Sequence, residues 1–95
     1  MNTSANTYER TPDAIIDLHG YTRDNAGAIL ADMRKNKAYT QVRIVTGKGT
    51  FRESGPVLRD FVKNYLERHH LKYLPAKQSD GGEGAFEVFL KEPLS

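Results

Sequence analysis

The chain divides into short apolar segments whose spacing alternates between that of strands and that of helices. Runs rich in β-branched or alternating apolar residues predict four strands, at residues 14–18, 41–46, 71–77 and 85–91. A first helix is predicted after a Thr22 cap, with an apolar stripe of Ala26, Ile29, Leu30 and Met33. A second begins near a Ser54 cap, with a stripe of Val57, Leu58, Phe61, Val62, Tyr65 and Leu66. The predicted element order is therefore βαβαββ.

This order predicts an α/β two-layer sandwich of the α+β type, with two helices on one face of a four-stranded sheet. Helical crossovers between parallel strands are right-handed, so two crossovers that run in the same direction across the sheet place both helices on the same side. Pro75 predicts an edge position for the third strand, because proline cannot donate to a ladder. Gly27 interrupts the first helix, and we expect a close approach of that helix to a strand there. The helix-free face is then available to bind nucleic acid or a second subunit.

Length and composition indicate one small domain. The chain has 95 residues, of which 38% are hydrophobic and 27% charged, and no cysteine, which excludes disulfides and cysteine-based zinc sites. Residues 1–13 are polar and aperiodic, so we expect a disordered leader or linker, a folded domain at 14–92 and a tail at 93–95. No apolar run approaches the roughly 20 residues of a membrane span, and we expect a soluble, cytoplasmic monomer or weak dimer without a membrane partner. The net charge of +2 allows a nucleic-acid partner but does not require one.

The predicted topology brings three unusual segments to one edge of the sheet. His19 and Gly20 follow the first strand, Gly47-Lys48-Gly49 follow the second, and a glycine-rich loop at 79–84 precedes the fourth. Ligands of open α/β sheets bind at the carboxyl ends of the strands. We therefore expect these segments to form one site.

Asp17 and His19 are the first candidate pair. They alternate along the chain and so share one face of an extended segment. An imidazole exchanges protons at neutral pH, and a neighbouring carboxylate orients it and stabilises its charged form. A polar pair that only satisfies itself explains the two residues alone equally well.

The segment TGKG at 46–49 is suited to an anion. Its glycines let main-chain N–H groups approach a phosphate, Lys48 supplies a positive charge, and Arg52 offers a second. The spacing of a Walker A motif is absent, and a plain surface turn is the alternative. Asp80 and Glu83 invite a metal site with Asp17 and His19, but no ligand spacing supports it, so we predict no cofactor and leave the metal requirement open. His69 and His70 are expected to be an exposed pair at a helix C-terminus.

Three motifs, IDLHG at 16–20, VRIVTGKG at 42–49 and GGEGAFEVFL at 81–90, together resemble the small MutS-related (Smr) domain family. The resemblance covers roughly residues 14–91, with the motifs in the family's order. The family's fold is similar to the C-terminal domain of translation initiation factor three. It implies a mixed sheet in the order 1-2-4-3 with the fourth strand antiparallel.

The resemblance implies an activity and a set of site residues. Members of the family cut DNA or RNA, and several are recruited to branched DNA or stalled ribosomes. The acid and histidine of the family's DLHG motif carry over to Asp17 and His19, and its glycine-rich loop carries over to Gly47, Lys48 and Gly49. We expect Asp17, His19 and Lys48 to be catalytic, and phosphate to be bound by Gly47, Lys48, Gly49, Arg52, Gly82 and Gly84. Two residues depart from the family pattern: Ile16 replaces the usual leucine, and Thr46 stands where some branches have histidine.

The sequence therefore predicts an endonuclease with His19 as general base, acting on RNA or on branched or nicked DNA. A non-catalytic module that binds nucleic acid or the ribosome is the main alternative. A site for a small anionic metabolite, built on the same TGKG loop, is a third.

Overall fold

The computed structural model describes residues 11–47, 54–76 and 84–93. Its six elements are β1 (Ala14–Asp17), α1 (Arg23–Lys35), β2 (Gln41–Val45), α2 (Ser54–Arg68), β3 (Leu71–Pro75) and β4 (Ala85–Pro93). The predicted order βαβαββ is confirmed. Within the described ranges, neither helix has the length and apolarity that crossing a bilayer would require.

Element boundaries differ from the predicted ones by one or two residues. β1 ends at Asp17, although the Leu18 N–H still donates to Val45 O at 2.7 Å. β3 ends at Pro75, and Lys77 lies outside the described residues. β4 extends to Pro93, which pairs with Leu71, so the strand includes the start of the predicted tail.

The sheet is mixed, with strand order β1-β2-β4-β3. β1 and β2 are parallel, whereas β4 is antiparallel to both β2 and β3. β3 is thus an edge strand, as Pro75 predicts. Because β1, β2 and β3 point in the same direction, α1 and α2 both run back across the sheet from its carboxyl edge.

Both helices pack on one face of the sheet, which confirms the two-layer architecture. Their apolar stripes join the inward side chains of β2 and β4 in a single core. The fully buried members from the helices are Ala26, Leu30, Met33, Leu58, Val62 and Leu66, and those from the sheet are Val42, Ile44 and Val88. The Thr22 hydroxyl caps α1 by accepting from the Asn25 N–H at 3.1 Å, as expected.

Gly27 provides a close approach, but to the other helix and not to a strand. A Cβ placed on Gly27 would lie 3.5 Å from Cζ of Phe61 on α2. The expectation of a helix–strand contact is wrong. The absent side chain instead leaves room for an aromatic ring between the two helices.

Near its centre, the helix-free face of the sheet is covered by side chains of the strands themselves. Glu87 is buried and accepts hydrogen bonds from Gln41 Nε2 at 2.9 Å and Arg43 Nε at 2.5 Å. Beside it, Lys72 Nζ lies 5.6 Å from the ring centroid of the buried Phe89. This face therefore offers less open surface to a partner than the sequence suggests.

The folded unit also includes Asp13, which the sequence assigns to the leader. Asp13 Oδ2 accepts from the N–H groups of Thr40 at 2.6 Å and Gln41 at 3.0 Å, and the Asp13 N–H donates to Gln41 O. These bonds fasten the start of β1 to the start of β2. The ordered domain accordingly begins no later than Asp13.

Replacement of Gly27 by alanine should stabilise the protein. A methyl group at 3.5 Å from Phe61 makes ordinary van der Waals contact, and alanine is favoured over glycine in a helix by about 1 kcal/mol. We expect Gly27→Ala to raise the free energy of unfolding by up to about that amount in urea titrations, and Gly27→Leu to lower it by about 1–3 kcal/mol through overpacking. A destabilised Gly27→Ala variant would contradict the described helix contact.

Candidate functional site

A tight turn ends β1 and presents His19. The Tyr21 N–H donates to Leu18 O at 3.0 Å, which places His19 and Gly20 at the two central positions. Gly20 has φ +83°, whereas His19 has a negative φ. This combination defines a type II turn, whose third residue strongly favours glycine. Gly20 is therefore required by backbone conformation, and His19 belongs to the turn and not to the strand.

The predicted Asp17–His19 contact is present. One carboxylate oxygen, Asp17 Oδ1, accepts both from the His19 main-chain N–H at 3.1 Å and from ring atom Nδ1 at 2.7 Å. A proton on Nδ1 leaves Nε2 as the basic nitrogen of the neutral ring. The pair thus fixes both the orientation and the tautomer of the imidazole.

Solvent reaches both members of the pair. The side chain of His19 is 72% exposed and that of Asp17 is 53% exposed. The hydrogen bonds from the His19 ring and from its main-chain N–H lower the pKa of the Asp17 carboxyl below 3.8. Asp17 is therefore anionic at neutral pH, and a pair this exposed is accessible to a large substrate.

Gly47, the first glycine of the TGKG segment, lies directly against His19. A Cβ at Gly47 would come within 3.3 Å of the His19 Cβ, and Gly47 has φ +80°, which disfavours other residues. The end of β2 and the turn after β1 consequently meet.

The main-chain carbonyl of Gly84 joins the third segment to the other two. It accepts from the N–H groups of Thr46 at 2.7 Å and Gly47 at 3.1 Å. The three segments that the topology brings together thus converge at Gly84, Gly47 and His19. Because its N–H is bonded to Gly84, Gly47 shapes the site in this structure and its N–H is not presented to an anion.

Thr46 has a role that the sequence does not reveal. It is 2% exposed, and its hydroxyl lies 3.3 Å from both Gly84 O and Gly47 O. Thr46 is thus a buried residue whose hydroxyl contacts the main chain of its own segment and of the segment that contains Gly84. The only local sign of this role in the sequence is a hydrophilic residue at the end of a strand that is rich in β-branched residues.

Four predicted phosphate contacts, Lys48, Gly49, Arg52 and Gly82, lie outside the described residues. So do Asp80 and Glu83, the two acids considered for a metal. Among the side chains that the structure does describe, no three histidine, aspartate or glutamate residues cluster as metal ligands would.

The two histidines at the end of α2 differ from each other. His70 is exposed with φ +58°, whereas His69 is half-buried and its ring centroid lies 4.3 Å from that of Tyr65. The expectation that both are plain exposed residues is therefore wrong for His69. Neither shares the turn that holds His19.

Solved structures with the same fold are Smr domains. The Smr domain of MutS2 from Thermus thermophilus superposes with a TM-score of 0.70 at 24% identity, covering 83% of this chain and 99% of that one. The B3BP Smr domain, solved in solution, superposes with a TM-score of 0.66 at 24% identity, covering 84% and 80%. At this identity the likeness shows the fold alone.

Comparison at the level of sequence gives a family but no individual relative. No curated protein matches the chain significantly. The Smr domain family profile matches residues 16–91, from the IDLHG motif to the end of the terminal strand motif. That span includes Asp17, His19, Gly47 and Gly84, and it shows that the chain belongs to the Smr domain family.

Proposed function

We propose that this chain is a nucleic-acid endonuclease in which His19 is the general base for cleavage of a phosphodiester. The observation that carries the proposal is the Asp17–His19 pair at the carboxyl end of β1, packed against Gly47. A bonded, oriented imidazole with an accessible Nε2 is the arrangement that proton abstraction needs. The Smr family, which includes endonucleases, gives that arrangement a substrate class.

RNA is the substrate that this site suits best. His19 Nε2 takes the proton of a ribose 2′-hydroxyl, and the resulting oxygen attacks the adjacent phosphorus. The bond from phosphorus to the 5′ oxygen breaks, and that oxygen takes a proton from water. The products are a 2′,3′-cyclic phosphate and a 5′-hydroxyl. On branched or nicked DNA, His19 would activate a water molecule instead.

Asp17 acts through His19 as a positioning residue. Its carboxylate holds the Nδ1 proton, so Nε2 remains basic, and its negative charge stabilises the imidazolium that forms during the reaction. The lowered pKa of Asp17 keeps this carboxylate charged throughout the range in which histidine titrates.

Phosphate binding is assigned to residues that follow Gly47. Lys48 and Arg52 would neutralise the phosphoryl oxygens in the transition state, with N–H groups such as that of Gly49 as donors. Gly82 is a further proposed contact. Gly84 contributes through its carbonyl, which holds Thr46 and Gly47 in place, so its role is to position the loop.

A nucleic-acid or ribosome-binding module without catalysis is the second candidate. The observation that favours it is the 72% exposure of the His19 side chain, since water competes strongly at so open a site. Both functions place the partner at the same edge of the sheet. A cytoplasmic location and a part in DNA repair or ribosome rescue are likewise proposals.

Removal of the imidazole should abolish most cleavage while binding persists. General base catalysis typically contributes about 10²–10⁴-fold, so His19→Ala should slow single-turnover cleavage of labelled structured RNA by that factor. The matched control is His70→Asn, because His70 is exposed, far from the turn, and has a φ that asparagine tolerates. If His19→Ala cuts as fast as the control, His19 is not the base. If the parent cuts no RNA or DNA, the binding module is favoured.

Cleavage of RNA should persist in EDTA and should leave a cyclic phosphate. The 2′-hydroxyl is an internal nucleophile that a base alone can activate. Hydrolysis by water, in contrast, commonly uses a metal ion to lower the pKa of the attacking water molecule. Mass spectrometry of the 3′ ends checks the product. Complete loss of RNA cleavage in EDTA, restored by Mg²⁺, would contradict the route through His19 alone.

The Asp17 carboxyl should titrate below 3.8 in the parent and closer to that value in His19→Ala. The two hydrogen bonds from His19 favour the charged carboxylate, and one of them comes from the ring. Since the folded pKa is lowered, the stabilisation is complete above about pH 3.8 and is lost as the pH falls through the folded value. Carboxyl ¹³C NMR measures this directly, and an unchanged Asp17 pKa in His19→Ala would disprove the contact.

A further inference from the structure

Cationic side chains line the surface where α1 meets α2, on the side of the helices away from the sheet. Arg23 begins α1 and Arg68 ends α2, and both border a groove of about 270 Å³ that is also lined by Asp60, Phe61 and Asn64. Arg34, in the last turn of α1, contacts Tyr65, which follows Asn64 and whose ring centroid lies 6.5 Å from that of Phe61. We call this surface, comprising Arg23, Arg34, Asp60, Phe61, Asn64 and Arg68, the interhelical groove.

Arg34 is held in place by aromatic contacts. Its Nε donates to Tyr65 Oη at 2.9 Å, and its guanidinium carbon lies 5.7 Å from the centroid of that ring. Tyr65 in turn packs against the His69 ring, with 4.3 Å between the centroids. The bond to Tyr65 uses one of the five N–H donors of the guanidinium. Arg34 is thus pre-oriented and keeps four donors for another acceptor.

Asp60 also lines the interhelical groove, but its carboxylate forms no ion pair with the described arginines there. Among the described side chains, the ion pairs within 4.0 Å are Asp17–His19 and Arg43–Glu87, and none involves Arg23, Arg34 or Arg68. Burial and then the charges of Arg34, Arg68 and His70 lower the pKa of His69, which reports the same accumulation of positive charge. An anion would relieve this repulsion.

Helix dipoles do not account for the whole set. Cations in the last turn of a helix, such as Arg34 and Arg68, interact favourably with its negative end. Arg23 is the first residue of α1, where the dipole disfavours a positive charge. Arg34 bonds to Tyr65 and not to the last carbonyl groups of α1. The helix dipoles therefore leave Arg23 unexplained.

We infer that the interhelical groove binds the phosphate backbone of the same RNA whose cleavage is proposed at His19. This inference rests on the proposed function. Arg23 follows the His19 turn by four residues, and Arg34 lies about 16 Å farther along the axis of α1. The cations thus lead from the cleavage edge towards the far end of the helices. An RNA strand that is cut at His19 is therefore held at a second point, which lies farther from His19 than a single nucleotide can reach.

Binding of an uncleavable RNA tests the groove independently of catalysis. The probe is a fluorescent 2′-O-methyl oligoribonucleotide of about 15 nucleotides, and fluorescence anisotropy gives Kd at several salt concentrations. For a single strand, each phosphate contact contributes about 0.7 to the magnitude of the slope of log K against log salt. Between 1 M and 0.1 M salt, one such contact therefore strengthens binding about fivefold. We expect Arg68→Gln and Arg34→Gln each to weaken binding about fivefold and to reduce the slope by about 0.7.

Lys63→Gln is the matched control, since Lys63 is an exposed cation of α2 that does not line the groove. It should change Kd less than about twofold if contact with phosphate is local to the groove. Arg34→Lys keeps the charge and should bind more tightly than Arg34→Gln. Variants at Arg34 and Arg68 that bind like Lys63→Gln overturn the inference, as does Arg34→Lys binding no better than Arg34→Gln.

The outcome separates the groove from the endonuclease. Loss of binding in Arg68→Gln with no cleavage by the parent supports the groove and removes the catalytic proposal. Cleavage that depends on His19 with no loss of binding in either arginine variant removes the groove and leaves the catalytic proposal standing.

Discussion

One carboxylate oxygen organises the proposed site. Asp17 Oδ1 accepts from the main-chain N–H and the ring Nδ1 of the residue two positions later, so it fixes the backbone of the turn and the tautomer of His19 together. The type II turn makes this geometry possible, because Gly20 adopts φ +83° and lets the chain reverse just after His19. The basic nitrogen is thereby held at the carboxyl end of an edge strand, where a long substrate can approach.

The rest of the site depends on a second main-chain contact. Gly84 O accepts from Thr46 and Gly47, and Gly47 packs against His19, so the starts of two loops are fixed relative to the imidazole. Parallel β1 and β2 bring their ends to one edge, and antiparallel β4 brings Gly84 to the same place. Since both helices run away from that edge, the cations of the interhelical groove extend from it along the molecule. The fold thus links the proposed proton-transfer group to the proposed anion-binding surface.

Local patterns were sufficient to predict the element order, the helix stripes, the edge position of Pro75 and the Asp17–His19 contact. Each depends on spacing along a single segment, which the sequence shows directly. The contacts that were missed join distant segments: Gly27 with Phe61, Arg34 with Tyr65, and Thr46 with Gly84. They depend on how helices and strands are aligned after packing, which no local periodicity encodes.

The proposed endonuclease requires that the scissile phosphate lie beside His19 Nε2. The most direct measurement is an NMR titration of ¹⁵N-histidine-labelled protein with an uncleavable 2′-O-methyl oligoribonucleotide, following the ring nitrogens of all three histidines. If the phosphate does lie there, the His19 Nε2 resonance should shift saturably at the same RNA concentration that saturates binding, while the Nδ1 resonance retains the signature of its bond to Asp17. Saturated binding that leaves the His19 ring unchanged would place the RNA elsewhere and contradict the assignment of His19 as the base.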